Sequence, residues 1–293
     1  MVCSIGNPEG GVLQRASFPT LTPDVTIPQI VDFIGKFDVK ALGIGSFGPL
    51  DLNPASPTYG NITKTPKKEW IDYPLMTTLK NALGVPTGID TDVNAAALAE
   101  YTMGAGKGRG SLLYVTVGTG IGGAFVERGR IMLGAHNEAG HIGHVSCSDA
   151  AGIPCQCGAT GHMETIACGP GIIERYLELG GEPIDGEGKP VDGAVIDARA
   201  AAGDEAARAA EARSGHAIGE VLGSLSNMLD PECIILSGSV AQCGPAWRDA
   251  MAAGWSEAVM PPVASTPIVS GDLGGDAPLI GAAENIVKSA YAE

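Results

Sequence analysis

Three features are scarce in this sequence, and each scarcity excludes a class of partner. Aromatic residues make up only 5% of the chain, which leaves little material for stacking on single-stranded nucleic acid. Positive charge is outweighed, because 18 Lys and Arg stand against 33 Asp and Glu, for a net charge of -15. Nucleic-acid phosphates and anionic membranes attract the opposite sign. No apolar run approaches the roughly 18 residues that span a bilayer. We therefore expect no nucleic-acid partner and no membrane span.

A disulfide framework is not expected either. The chain has seven Cys, an odd number, and it is long, whereas disulfide frameworks are typical of short secreted chains with paired cysteines. No signal peptide is recognisable. We therefore expect a cytoplasmic protein.

Glycine is plentiful, with 43 residues, and it follows several short apolar segments that read as strands. These strand candidates alternate with helix candidates, which predicts an α/β fold. Helices are predicted at residues 75–83, 172–179, 196–212, 216–229 and 280–292. Strands are predicted at residues 41–44, 85–90, 111–117 and 234–236. A hairpin turn is predicted over residues 7–11.

A Gly- and Lys/Arg-rich stretch at residues 104–110 marks the predicted boundary between two α/β halves. We expect a smaller N-terminal domain over residues 1–105 plus about 280–293, and a larger C-terminal domain over residues 106–279.

Four side chains of the types that bind zinc lie close together in the sequence: His141, Cys155, Cys157 and His162. Thiolate and imidazole ligands suit tetrahedral Zn²⁺, and the intervening glycines permit a tight knuckle. The alternative is that the thiols are core groups and the imidazoles surface groups. His144 is an alternative to His141, and Cys147 to either cysteine. Four protein ligands leave no open position, so the predicted zinc is structural.

A glycine-rich turn, Gly118-Thr119-Gly120, follows a predicted strand. Its backbone N–H groups and the Thr hydroxyl suit phosphate oxygens, but a tight β-hairpin explains the same residues equally well. The turn is not a Walker A motif, because no Gly-Lys-Ser/Thr follows, and the next segment reads as a strand, unlike a dinucleotide fingerprint.

Three carboxylates are candidates for chemistry. Asp92 lies between a predicted strand and an alanine-rich helix, where it can act as a general base or simply as the N-cap of the helix. Glu138 and Glu164 flank the predicted zinc segment, where they can pair with substrate hydroxyl groups or remain solvated surface charges.

Together these segments resemble the ROK family of bacterial sugar kinases and regulators. Glu138-Ala139-Gly140-His141 and residues 155–164 are similar to its signature, with His162 where a Cys is usual. Residues 91–97 resemble the segment that bears the catalytic aspartate, and residues 118–123 the second phosphate loop. Residues 230–240 resemble the stretch that helps hold the nucleoside.

The resemblance implies a two-domain actin-like, hexokinase-like (ribonuclease H-like) ATPase fold with a zinc-binding segment. It implies ATP with Mg²⁺, phosphoryl transfer to the 6-hydroxyl of a hexose, and a homodimer. Asp92 becomes the general base, and His141 serves both zinc and sugar. The implied sugar ligands are Glu138, His141, Glu164 and Asn94, and the implied nucleotide contacts are Gly118, Thr119, Gly120 and Gly238.

The sugar is predicted from shorter segments. Residues 45–49, 56–60 and 63–67 are similar to the fructokinase branch, as is Thr91, where many glucokinases carry Asn. The Cys-x-Cys knuckle is closer to the glucokinase branch. We expect a fructokinase, with a glucokinase or mannokinase as the alternative.

Family members begin with a strand and a G-G-T-K-type turn, the first phosphate loop, and residues 1–6 resemble the segment directly after that turn. The resemblance thus predicts that Met1 is an internal methionine of the natural protein, which adds a catalytically silent sugar-binding protein as another alternative. A transcriptional regulator of the same family is disfavoured, because the sequence shows no DNA-binding helical domain and its net charge is negative.

Overall fold

The computed structural model describes residues 1–7, 11–65 and 67–291, with side chains in the last helix up to Ile286. The centre of the predicted turn over residues 7–11 and the end of the predicted helix over 280–292 lie outside these residues, as does Pro66 in the segment 63–67. The described helices include none with the length and apolar character needed to cross a membrane.

The strands lie, in chain order, at β1 (Val2–Gly6), β2 (Val12–Ser17), β3 (Leu42–Ser46), β4 (Thr87–Thr91), β5 (Ser111–Val117), β6 (Ile121–Glu127), β7 (Arg130–Ile131), β8 (Ile234–Ser237) and β9 (Ile268–Ser270). The α-helices lie at α1 (Pro23–Ile34), α2 (Leu75–Leu83), α3 (Asp92–Thr102), α4 (Glu164–Ala167), α5 (Gly169–Glu178), α6 (Gly193–Ala202), α7 (Glu205–Leu229), α8 (Pro245–Ala258) and α9 (Ala277–Tyr291).

The chain forms two compact units. Unit 1 comprises Met1–Ser111, Ala124–Ala139 and Gly271–Glu293, and unit 2 comprises Leu112–Gly123 and Gly140–Ser270. The segment Ala124–Ala139 therefore belongs with the N-terminal residues, although the predicted boundary placed it in the C-terminal domain.

In unit 1, β1 pairs with β2 in antiparallel fashion, and β3 pairs with β4 in parallel. The amphipathic helix α1 buries Ile27, Ile30 and Ile34 on one face. Trp70 is 1% exposed, and its indole N–H donates to the carbonyl of Leu21 at 2.7 Å. The largest side chain of this core is therefore both buried and hydrogen-bonded, as a buried Trp requires.

Helix α3 is buried around most of its circumference, with residues 94–100 all buried. Its tight contact with α9 depends on Gly281, where a Cβ would lie 1.7 Å from the carbonyl oxygen of Ala95. The carboxylate of the buried Glu100 accepts backbone N–H groups of Ala105 and Leu273, both at 2.9 Å. These contacts fix α3, and with it Asp92 at its first position.

The five-stranded sheet has the order β7-β6-β5-β8-β9. Strands β5, β8 and β9 run parallel, whereas β6 and β7 are antiparallel to each other. In unit 2, α7 and α8 pack so closely that only glycine fits at the crossing. A Cβ at Gly215 would lie 2.1 Å from the carbonyl oxygen of Trp247, and one at Gly219 would lie 2.0 Å from that of Met251.

The helices predicted over residues 196–212 and 216–229 are wrongly divided. The break falls at Gly203, which has φ +100° and ends α6, and Asp204 caps α7 by accepting the N–H of Ala207 at 2.9 Å. A left-handed glycine followed by an Asp N-cap is a strong stop-and-start signal. Helix α7 then continues through residues 213–215 without interruption.

Candidate active site and metal centre

Asp92 is the first residue of α3, directly after β4. The N-cap is Thr91, whose side-chain oxygen accepts the N–H of Asn94 at 3.0 Å. The interpretation of Asp92 as the N-cap is therefore wrong. Its carboxylate accepts the N–H of Val93 at 2.9 Å. Burial raises the pKa of Asp92, and that hydrogen bond partly offsets the rise.

The carboxylate of Asp90, near the end of β4, is hydrogen-bonded to the side chain of Asn94 in the first turn of α3. The amide nitrogen of Asn94 donates to Asp90 Oδ1 at 2.7 Å, and the N–H of Thr91 donates to the same oxygen at 2.7 Å. Asn94 is 4% exposed. Its amide nitrogen is therefore buried and paired with Asp90 inside unit 1. Asp90 does not stand out in the sequence, because its partner becomes visible only when the helix is placed after the strand.

The glycine-rich turn after β5 and Gly238 after β8 lie next to each other at the carboxyl ends of these strands. Strands β5 and β8 are parallel neighbours with Thr116 opposite Ser237, so the turn Gly118-Thr119-Gly120 and Gly238 follow strands that end side by side. Gly238 has φ +91°, and a Cβ there would lie 2.2 Å from the carbonyl oxygen of Val117. The four residues predicted to contact nucleotide are thus neighbours at the carboxyl ends of parallel strands, where α/β proteins bind ligands.

The first helical residue of α5 also meets this turn. The N–H of Gly169 donates to the carbonyl of Gly118 at 2.7 Å, and Gly118 N–H donates to the carbonyl of Gly120 at 2.9 Å. The start of α5 therefore brings the positive end of a helix to the turn. The helix predicted from Ile172 onward begins too late to include this contact, although Pro170 inside Gly169-Pro170-Gly171 is a helix-start signal.

Glu164 begins α4, and its position is fixed by the glycine turn. Its Oε2 accepts the N–H of Ile121 at 2.7 Å. A Cβ at Gly120 or at Gly143 would lie 3.0 Å from the same oxygen. The carboxylate thus lies between the glycine turn and the short segment Ile142–His144.

Four side chains of unit 2 are close enough to share one ion: His144, Cys155, Cys157 and His162. The Nδ1 atoms of His144 and His162 lie 3.1 Å apart. Cys155 Sγ lies 3.7 Å from His144 Nδ1, and Cys157 Sγ lies 3.3 Å from His162 Nδ1. Zinc bond lengths give tetrahedral edges of about 3.3 Å between nitrogens and about 3.6 Å between nitrogen and sulfur. The donor set and its spacing therefore fit a tetrahedral Zn²⁺.

The imidazole in this group is that of His144, not His141, which corrects the ligand set named from the sequence. The ring of His141 lies 6.1 Å from that of His144, between centroids. The short 3₁₀ turn Ile142–His144 separates the two residues, and that turn directs only the second imidazole to the cysteines. Among the described residues, Cys147 is not part of the group.

Glu138 lies in the loop that follows β7, in a segment that belongs to unit 1, and its side chain is exposed. The predicted sugar ligands are therefore divided, because Asn94 and Glu138 lie in unit 1, whereas His141 and Glu164 lie in unit 2. The predicted general base, Asp92, lies in unit 1.

The fold and the site define an α/β protein of the ROK hexokinase type. A ROK hexokinase from Thermus thermophilus matches with a TM-score of 0.81 and 27% identity, over 97% of this chain and 93% of that chain. The family model described as ROK family matches residues 1–289, and the chain belongs to that family.

Two further relatives bear on the substrate. A ROK family glucokinase from Streptomyces griseus, in complex with glucose and AMPPNP, matches with a TM-score of 0.76 and 26% identity, over 96% of this chain and 94% of that chain. A putative fructokinase of Bacillus subtilis is 48% identical over 142 residues, which is 48% of each chain. This chain thus spans about half the length of that curated relative.

Proposed function

We propose that this protein is a cytoplasmic, ATP-dependent hexose kinase that phosphorylates the 6-hydroxyl of D-fructose. The proposal is carried by Asp92, a carboxylate at the start of a buried helix whose cap is supplied by another residue. It is supported by the similarity to a protein described as a putative fructokinase and by the fructokinase-like segments at residues 45–49 and 56–60.

Asp92 is suited to take the proton of the attacking hydroxyl. A general base works best when its pKa lies near the working pH. Burial raises the pKa of Asp92 from its ordinary value, which makes the carboxylate a stronger base. The N–H of Val93 occupies Oδ1, so Oδ2 is the oxygen we assign to the substrate proton.

Glu138, His141 and Glu164 are the proposed ligands of the sugar hydroxyls, because carboxylates and imidazoles pair well with hydroxyl groups. Glu164 has one oxygen on the N–H of Ile121, which orients its carboxylate and leaves acceptor capacity for a hydroxyl. We assign Asn94 a supporting role beside Asp92, since Asp90 fixes its amide.

ATP is assigned to the carboxyl ends of β5 and β8 in unit 2. Gly118, Thr119, Gly120 and Gly238 lie there together, and their small size lets phosphate oxygens approach backbone N–H groups. Mg²⁺ accompanies ATP in this proposal and neutralises charge on the phosphates.

Zinc is assigned to His144, Cys155, Cys157 and His162, with a structural role. The ion would join residues from both ends of the loop 144–162 and so hold its conformation. Because His141 precedes the turn that carries His144, a fixed loop also fixes the imidazole that we assign to the sugar.

The test is a coupled assay of ADP formation with fructose, glucose and mannose, run beside sugar binding by calorimetry. Fructose should give the highest kcat/KM. Asp92→Asn should lower kcat by at least about 100-fold, the usual contribution of a general base, while fructose still binds. Asp24→Asn is the matched control, because Asp24 is an exposed acid in the first turn of α1.

Other results of the same assay would support a different function. A highest kcat/KM with glucose or mannose would make the protein a glucokinase or mannokinase of the same family. Fructose binding without any ADP formation would make it a silent sugar-binding protein. Full activity of Asp92→Asn would remove Asp92 from the chemistry.

A further inference from the structure

Unit 2 contains a second group of possible metal ligands, formed by Asp197 of α6, Glu211 of α7 and Cys243, which precedes α8. One ligand atom from each lies within 4.8 Å of the others. None of the three belongs to the zinc group or to the proposed substrate ligands. We call them the Asp197 cluster.

Glu211 is the most deeply buried member of the Asp197 cluster, and its residue is 1% exposed. Among the described residues no N–H or O–H group donates to either of its carboxylate oxygens, and the groups that interact with it are those of Asp197 and Cys243. A buried carboxylate is strongly unfavourable unless it is paired with a positive charge or hydrogen-bonded. The two groups that it faces are another carboxylate and a thiol, which are themselves acidic.

The neighbouring contacts leave the charge uncompensated. Asp197 Oδ1 accepts the N–H of Gly244 at 2.8 Å, which places one neutral donor on that carboxylate. Among the described residues, Arg248 is the positive group that acts on Cys243, and its effect there is smaller than that of Glu211 and Asp197. The cluster therefore needs one more positive charge, either a proton shared by the carboxylates or a bound cation.

We propose that the Asp197 cluster binds a divalent cation of the zinc class. Two carboxylate oxygens and one sulfur suit Zn²⁺, which accepts both ligand types and takes three protein ligands plus water. Mg²⁺ and Ca²⁺ prefer all-oxygen sites, so the thiol disfavours them. The ion joins α6, α7 and the segment before α8, and it gives the oxygens of Glu211 the partner that they lack.

Protons compete with this ion, because carboxylate and thiolate ligands bind a metal ion only when they are deprotonated. Loading with metal is therefore best done at a pH of about 8.

The experiment measures how many metal ions each protein molecule binds. Protein stripped with a chelator is loaded with Cd²⁺ at pH 8 and desalted, then measured by mass spectrometry of the metal and by ¹¹³Cd NMR. Glu211→Gln should hold one equivalent less than the wild type and should lose one resonance. Glu205→Gln, which removes an exposed acid from the first turn of the same helix, should match the wild type in both measurements.

Cys243→Ser provides a second reading, because it removes the sulfur ligand and should shift or abolish the same resonance. Equal metal content and equal spectra for wild type and Glu211→Gln would overturn the proposal in favour of a shared proton. If Glu211→Gln does not fold, the comparison of the wild type with Cys157→Ser decides. The proposal fails if every ¹¹³Cd resonance of the wild type is absent from Cys157→Ser, since all bound metal would then belong to the zinc group.

Discussion

The carboxylate of Glu164 accepts the backbone N–H of Ile121 at 2.7 Å, and so connects the start of α4 to the residue that directly follows the glycine turn. Two predicted features, a phosphate-binding turn and a sugar-binding acid, are therefore joined by one hydrogen bond within unit 2. A change at Glu164 should act on both.

Substitution of Glu164 separates the hydrogen bond from the charge. Glu164→Gln keeps an oxygen acceptor for Ile121 and should lower the free energy of unfolding by less than about 1 kcal/mol, whereas Glu164→Ala should lower it by about 1–3 kcal/mol. Urea denaturation measures both values. Both variants should raise KM for the sugar, because each lacks the carboxylate. Equal stabilities of the two variants would show that the Ile121 hydrogen bond contributes little.

His141 and His144 should respond differently to replacement by alanine. His144→Ala should hold one equivalent of zinc less than the wild type, because it removes one of four ligands. His141→Ala should keep its zinc and instead raise KM for the sugar. Metal analysis beside steady-state kinetics checks both statements, and zinc loss confined to His141→Ala would restore the ligand set named from the sequence.

The rate should depend on the ionisation of Asp92. Burial places the pKa of this carboxyl above its ordinary value, and a general base acts only when deprotonated. The value of kcat/KM should therefore fall as the pH drops through that raised pKa, at a higher pH than an unperturbed Asp would give, since that group titrates at about 3.9. The pH profile of kcat/KM measures this, and the remaining activity of Asp92→Asn should lack the same step.

His216 should stabilise unit 2 mainly at lower pH. Its Nδ1 lies 2.5 Å from Asp149 and its Nε2 lies 3.2 Å from Glu257, with Glu220 also near. The hydrogen bond to Asp149 is the main cause that raises the pKa of His216. The ion pairs therefore stabilise fully below the unfolded pKa of about 6.5 and are lost as the pH rises through the folded value.

His216→Gln should accordingly lower the free energy of unfolding by about 0.2–1 kcal/mol at pH 6, the range for exposed ion pairs, and by less at pH 9. Urea denaturation at the two pH values supplies the comparison. A difference from the wild type that grows with pH would contradict the assignment of a protonated imidazole.

Gly281→Ala should damage the contact between α3 and α9, because the added methyl group would overlap the carbonyl of Ala95. Overpacking of this kind costs about 1–3 kcal/mol or more, and thermal unfolding should show a clear drop in Tm. Gly193→Ala is the control, since a Cβ there meets no atom within 4 Å. Equal Tm values for the two variants would show that α9 can move away at little cost.

The sequence was most informative where the signal is local. The buried strands β5 and β8 and the helix α2 follow from short apolar segments with clear ends, and the ROK resemblance followed from several such segments together. The sequence pattern does not predict the break between α6 and α7, because helical periodicity continues across Gly203 and Asp204, although both residues are recognised cap types.

The finer geometry of the site depends on contacts that no local pattern reveals. His141 and His144 are both imidazoles beside the same glycines, and only the turn between them determines which one faces Cys155. Asp90 and Glu211 were not singled out, because their significance lies in partners on other elements.

The return of the chain to unit 1 has a consequence for synthesis on the ribosome. Helix α3 is made early, but the helix that buries it, α9, follows all of unit 2 in the sequence. The alanine-rich surface of α3 that packs against α9 therefore stays exposed while about 170 residues are translated, which takes roughly 10–30 s at bacterial rates. Nascent chains stalled before Gly281 should bind chaperones through unit 1 while unit 2 is already compact.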